Sequence, residues 1–240
     1  MDIKGSVALV TGANRGLGRA LAEHLLNHDV ARLYVAARRP ESLDGLVARD
    51  SRVVPVPLDL TDPAQIERAA VTAADTTLLI NNGGSLAFAD PLAGDLAAIE
   101  LDLRTNFFGT LAMVRAFTPV LERNGGGAIV NLLSLVVFGS VPAMGGYSAS
   151  KAAAASATQA LRAQLASRGI TVHGVFPGAV DTDMIRAFPI PKTSPTDVAA
   201  AVLAGVEAGT ENIFPDPMAE QGYRSWRTDP SAFERSMAAM

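Results

Sequence analysis

Tyr147 and Lys151 stand four residues apart in Tyr-Ser-Ala-Ser-Lys, a spacing that puts a phenol and an ammonium on one face of a helix. A cation beside a phenol favours the phenolate. The pair therefore predicts that Tyr147 ionises below the reference value of about 10 and exchanges a proton near neutrality. Ser134 ends an apolar run and offers a hydroxyl to hold a carbonyl or alcohol oxygen beside that phenol. The chemistry is proton transfer at a substrate oxygen. Tyrosine and lysine meet at this spacing in many helices by chance, so the setting decides. With no histidine near Ser134, a serine-hydrolase triad has no base. His24 and His28 lie one turn apart without the glutamate of a metalloprotease helix, and no metal site is expected.

The elements that must position these groups begin near the other end of the chain. Val7 to Val10 reads as a buried strand, and Arg19 to His28 as a helix with Leu21 and Leu25 at helical spacing. Between them runs Thr-Gly-Ala-Asn-Arg-Gly-Leu-Gly, from Thr11 to Gly18. A strand, a glycine turn and a helix in that order gather backbone N–H groups at the positive end of a helix dipole, which binds phosphate. Glycine lets a pyrophosphate approach the backbone closely. The spacing of Gly12, Gly16 and Gly18 departs from G-x-G-x-x-G, and without a Gly-Lys pair the turn is not a P-loop.

Further strands are expected at Arg32–Ala37, Val53–Leu58, Leu78–Ile80, Ala128–Leu133 and Thr171–Phe176. Helices are expected after Asp62-Pro63 (a cap completed by Gln65), over Ile99–Leu121, over Tyr147–Ser167 and over Pro195–Ala208. This alternation predicts one doubly wound α/β domain, a parallel sheet covered on both faces. Ligands then sit at the carboxyl ends of the strands. Those ends carry the glycine turn, Ala37-Arg38, Asp59, Asn81 to Gly84, Ser134 and Pro177-Gly178. The 240 residues, 49% hydrophobic, suffice for such a core, and a net charge of −4 without charge runs gives no reason to expect nucleic acid or membrane partners. There are no cysteines, no apolar leader and no run long enough for a bilayer. A cytoplasmic protein is the expectation.

About 20 residues past the glycine turn, an acid would suit a free ribose 2′-hydroxyl and an arginine a 2′-phosphate. The place holds Ala36-Ala37-Arg38-Arg39, and Arg15 can approach the same phosphate from within the turn. Guanidinium forks match phosphate oxygens in shape and charge, so Arg15 and Arg38 point to NADP(H).

The glycine turn, Asn81-Asn82-Gly83-Gly84, Asn106, Ser134, Tyr147-x-x-x-Lys151 and Pro177-Gly178-x-x-x-Thr182 together resemble the short-chain dehydrogenase/reductase family, over about Lys4 to Thr182. The resemblance implies a Rossmann-like domain with a seven-stranded parallel sheet and a tetrad of Asn106, Ser134, Tyr147 and Lys151. Tyr147 would be the general acid or base, and Ser134 would orient the substrate oxygen. Lys151 would bind the nicotinamide ribose and depress the tyrosine pKa, and Asn106 would hold a relay water. Cofactor contacts carry over to Gly12, Asn14, Arg15, Gly16, Leu17, Gly18, Arg38, Asp59, Leu60, Asn82, Gly83, Gly84, Pro177, Gly178, Val180 and Thr182, besides Tyr147 and Lys151.

Two features depart from the family pattern. Gly83 stands where alanine is usual, which implies a looser loop. Glu211 to Met240 lacks the usual Gly-Gly and reads as a polar tail, which puts in doubt the tetramer often built from that end. A homodimer or homotetramer is still expected, with the alanines at 152, 153, 154, 155 and 157 allowing close helix approach. Leu135 to Phe138, Met144 and the segment Met184–Pro191 are mostly apolar. They suggest an apolar ketone or aldehyde, part of the set being core; Arg186 could pair with an acidic substrate, but a lone arginine in such a loop is more often solvated. The expectation is an NADPH-dependent carbonyl reductase, which runs in reverse as an alcohol dehydrogenase. The alternatives are a β-ketoacyl-carrier-protein reductase docking through Arg104, Arg115 and Arg123, and a non-enzymatic NADP(H) sensor, which would not need Tyr147.

Overall fold

The computed structural model describes residues 1–240. Seven strands, β1 (Val7–Thr11), β2 (Arg32–Ala37), β3 (Val53–Pro57), β4 (Leu78–Asn81), β5 (Gly127–Leu132), β6 (Ile170–Val175) and β7 (Asn212–Ile213), form one sheet. Their order is β3-β2-β1-β4-β5-β6-β7, and every pairing is parallel. The strands are short apolar runs because both faces of the sheet are covered.

On one face, α1 (Gly16–Asn27), α2 (Asp44–Val47) and α7 (Pro195–Glu207) bury Leu21, Leu25, Leu46 and Val202 against β1, β4 and β5. On the other, α3 (Pro63–Thr72), α5 (Thr110–Arg123) and α6 (Gly145–Leu165) bury Ile66, Phe117, Leu121 and Leu165 against Leu9, Leu79 and Ile129. No helix is long and apolar enough to cross a membrane.

The expected single helix over Ile99–Leu121 is three pieces. It begins earlier, with α4 (Leu96–Asp102), passes through seven π-helical residues from Leu103 to Gly109, and continues as α5. A π-turn swings side chains off the helical register, and Asn106 lies inside it. The expected polar tail is also corrected. It folds as α8 (Pro217–Thr228) and α9 (Pro230–Ala238), capped by Asp216 and Asp229, whose carboxylates accept the Ala219 and Ala232 N–H groups. Phe233 and Met237 of α9 pack with Leu135 and Val141, so the tail closes onto its own chain.

Candidate active site

The sheet order reverses between β1 and β4, and the glycine turn leaves β1 at that point. Gly12 and Gly16 have φ of 65° and 54°, the left-handed region that glycine enters without a Cβ penalty. A Cβ on Gly18 would collide with the Gly12 carbonyl and the Asn82 amide. Asn82 donates through Nδ2 to the Thr11 carbonyl at 2.9 Å, and Thr11 Oγ1 accepts from the Asn82 and Gly83 N–H groups at 3.0 and 2.8 Å. The two strand ends are thereby stapled together. The loop at Gly83 is not loose, as its lack of a methyl had suggested. Leu60 fills the space, and a Cβ there would lie 2.9 Å from Leu60 Cδ1.

Every residue expected to meet the cofactor lines one cleft of about 780 Å³, as do Ser134, Tyr147 and Lys151. Arg38 is exposed at the end of β2. Arg15 donates to Asp183, which Arg186 also engages. The Arg186 side chain is 80% exposed, so it is solvated as expected, with Asp183 as its partner. Asp59 turns its carboxylate to the Thr61 N–H and hydroxyl at 2.9 and 2.7 Å. The Thr182 methyl closes on Gly16, where a Cβ would lie 3.1 Å from it.

Tyr147 and Lys151 project from consecutive turns at the start of α6, and Ser134 follows β5. The Lys151 Nζ donates to the Leu132 carbonyl at 2.7 Å and lies 5.7 Å from the centre of the Tyr147 ring. The expected acidic shift of Tyr147 is reversed. Burial pushes its phenol up to about 12, the negative charge of Asp102 adds to the rise, and hydrogen bonding to Ser134 opposes it. Burial likewise brings Lys151 down to about 8, with Asp102 pulling it back up. Desolvation is the largest cause for both because both groups leave water.

Asn106 stands behind the cleft, 1% exposed. Its Oδ1 accepts from the Ser85 N–H, and its Nδ2 donates to the Ser85 carbonyl and to Ser150 Oγ, all at 2.9 Å. The side chain is thus committed within the protein. Asp102, Ser85 and Ser150 were missed in the sequence: an acid between two leucines on a helix reads as solvated, yet Asp102 is fully buried.

On the substrate side, Leu135, Val136, Met144, Met184, Ile185, Phe188 and Ile190 line the cleft as expected. Phe138 does not. It lies among Phe176, Phe214, Tyr223 and Trp226, with ring centres 4.8–6.1 Å apart. Met218, Met237 and Met240 complete the wall, so five of the seven methionines face one cavity. Of the alanines expected at an intersubunit contact, Ala154 and Ala155 are buried against Leu133 and Phe176 instead.

The short chain dehydrogenase family matches residues 6–190. A Drosophila melanogaster dehydrogenase/reductase SDR family protein 7-like is 33% identical over 199 residues, or 76% of this chain; the chain spans 60% of that protein's length. A short chain dehydrogenase from Burkholderia cenocepacia J2315, solved in complex with NADP, is 41% identical and superposes with a TM-score of 0.94 over 99% of both chains. A short chain dehydrogenase/reductase from Burkholderia phymatum, in complex with NAD, is 26% identical, with a TM-score of 0.87 over 97% of this chain and 96% of that one.

Proposed function

Because this chain belongs to the short-chain dehydrogenase family, we propose that it is an NADPH-dependent carbonyl reductase for apolar ketones and aldehydes. The observation that carries the reading is the meeting of Ser134, Tyr147 and Lys151 with the glycine turn and Arg38 in one cleft. The residues fit the cofactor. The turn at Gly12 and Gly16 would hold the pyrophosphate at the start of α1, and Arg15 and Arg38 the 2′-phosphate. Asp59 and Leu60 would meet the adenine, Asn82 to Gly84 and Lys151 the riboses, and Pro177, Gly178, Val180 and Thr182 the nicotinamide end. When bound, NADPH supplies the hydride. The NADP complex of the 41%-identical relative supports the choice over NADH.

Tyr147 gives its proton to the substrate oxygen that Ser134 orients. A phenol with a pKa pushed up to about 12 is protonated at neutral pH, the state that reduction needs. The reverse oxidation needs the phenolate, and there the Lys151 ammonium stabilises it. The Asn106 side chain is spent on Ser85 and Ser150, which leaves its amide no donor for the relay water expected of it. The apolar wall favours substrates without charge. Leu101 and Phe108, 49% and 57% exposed beside α6, support a homo-oligomer.

A panel of apolar ketones and aldehydes, run with NADPH and NADH, tests this. Oxidation of NADPH in preference to NADH is expected; no turnover of any member would overturn the reading.

A further inference from the structure

Asp102, 0% exposed, is the most deeply buried acid beside the cleft, and neither the tetrad nor the cofactor contacts use it. Carboxylates are rarely buried without compensation. Its Oδ1 accepts from Ser85 Oγ at 2.6 Å and its Oδ2 from the Ala87 N–H at 3.1 Å. Donors on both oxygens are the pattern of an ionised carboxylate, yet neither bond comes from a basic side chain. Asn106, four residues on, holds the same Ser85 by its N–H and carbonyl. Ser85 is thus gripped at three atoms by two residues of one helical stretch.

That grip reaches the lysine. Asn106 also bonds Ser150, next to Lys151 in sequence. A Cβ on Gly84, just before Ser85, would lie 2.8 Å from Asn106 Oδ1 and 3.7 Å from Lys151 Nζ. Lys151 is 5% exposed. We propose that Asp102 is a positioning residue of the proton-transfer centre, pinning the Ser85 segment onto Asn106 and serving as the buried counter-charge of the Lys151 ammonium. The proposal rests on the assignment of Tyr147 and Lys151 to proton transfer. The groups that bear on it are few. From α6 come Tyr147 and Lys151 themselves, and of the other charged side chains Asp102 is the one that bears on both. Glu100, on Asp102's own helix, pairs outward with Arg104. The segment after β4 contributes only Ser85 and the Ala87 N–H.

The test is the pH profile of turnover, in both directions, for Asp102→Asn, Asp102→Glu and Ser85→Ala. Removing the negative charge lowers the pKa of both Lys151 and Tyr147, so Asp102→Asn should move the alkaline limb to lower pH by about one unit. Asp102→Glu keeps the charge and should keep the limb in place at a reduced rate. Ser85→Ala keeps the charge but loosens the grip, and should lower the rate equally at all pH. A merely structural Asp102 gives an Asp102→Asn profile that superimposes on the wild type after scaling, and that result overturns the proposal. If Asp102→Asn does not fold, the double variant with Lys151→Met decides. A counter-charge role predicts that removing both charges restores the urea midpoint lost by removing one, and failure to restore it overturns the idea. The melt needs no substrate, so this failure is separable from failure of the carbonyl-reductase reading.

Discussion

Arg15 donates to Asp183 across 3.3 Å, joining the turn after β1 to the segment after β6 at the rim of the cleft. Both side chains are substantially exposed, and such pairs are worth about 0–1 kcal/mol. Asp183→Asn should therefore leave the melting temperature nearly unchanged. If Arg15 grips a 2′-phosphate, losing its competitor should tighten NADPH by up to about fivefold and leave NADH alone. Fluorescence titration of both cofactors checks this, and an equal effect on the two would remove Arg15 from phosphate recognition.

Arg38→Ala should weaken NADPH by about tenfold, the lower end for a charge-assisted hydrogen bond at an exposed position, with NADH changed little. The same titration reads it. Equal loss for both cofactors would contradict the assignment.

Tyr147→Phe removes the phenolic proton and leaves the ring. Turnover should fall by about 10²–10⁴-fold, the usual contribution of a positioned acid, while the Kd for NADPH stays within about twofold, since the ring keeps its packing. Steady-state rates and equilibrium titration together check it.

The lysine gives a pH signature in stability. Its folded pKa is lowered from 10.5 to about 8, so between those values the unfolded chain binds the extra proton. Stability then rises with pH across that window, by about 3 kcal/mol in total. Tyr147 acts oppositely. Its folded pKa is raised from 10.0 to about 12, so its contribution is full below 10 and is lost as pH climbs to 12. Urea midpoints across pH 7–12 should rise and then fall. In Lys151→Met the rise should vanish.

Met237→Ala should destabilise by about 2–3 kcal/mol, a buried methionine to alanine change beside Leu135 and Phe233. It should also raise kcat/KM for bulkier ketones relative to small aldehydes, because Met237 lines the cleft. An unchanged size preference would separate α9 from substrate selection.

The short-chain dehydrogenase resemblance and the doubly wound parallel sheet were legible because their signals are local: a glycine turn between an apolar strand and a helix, and strand ends punctuated by Asn81-Asn82, Ser134 and Pro177-Gly178. The helices α8 and α9 carried a local signal too. Asp216-Pro217 and Asp229-Pro230 repeat the cap-and-proline start that marks α3 at Asp62-Pro63, but the polar composition around them hid it. β7 is two residues long, too short for any periodicity to register. The tyrosine shift was misread for a different reason. Helical spacing shows that Tyr147 and Lys151 are neighbours, whereas their desolvation depends on what the folded chain places around them. Asp102 was hidden likewise, since burial of an acid is a tertiary fact.

The single tryptophan lies in α8, its ring 4.8 Å from that of Phe138 and 5.8 Å from that of Tyr223. Phe138 closes the short turn that begins at Ser134. The molecule therefore carries its own optical probe: emission from Trp226 registers any loosening of the carboxyl-terminal helices from the strand end beside the reacting oxygen, with no label attached.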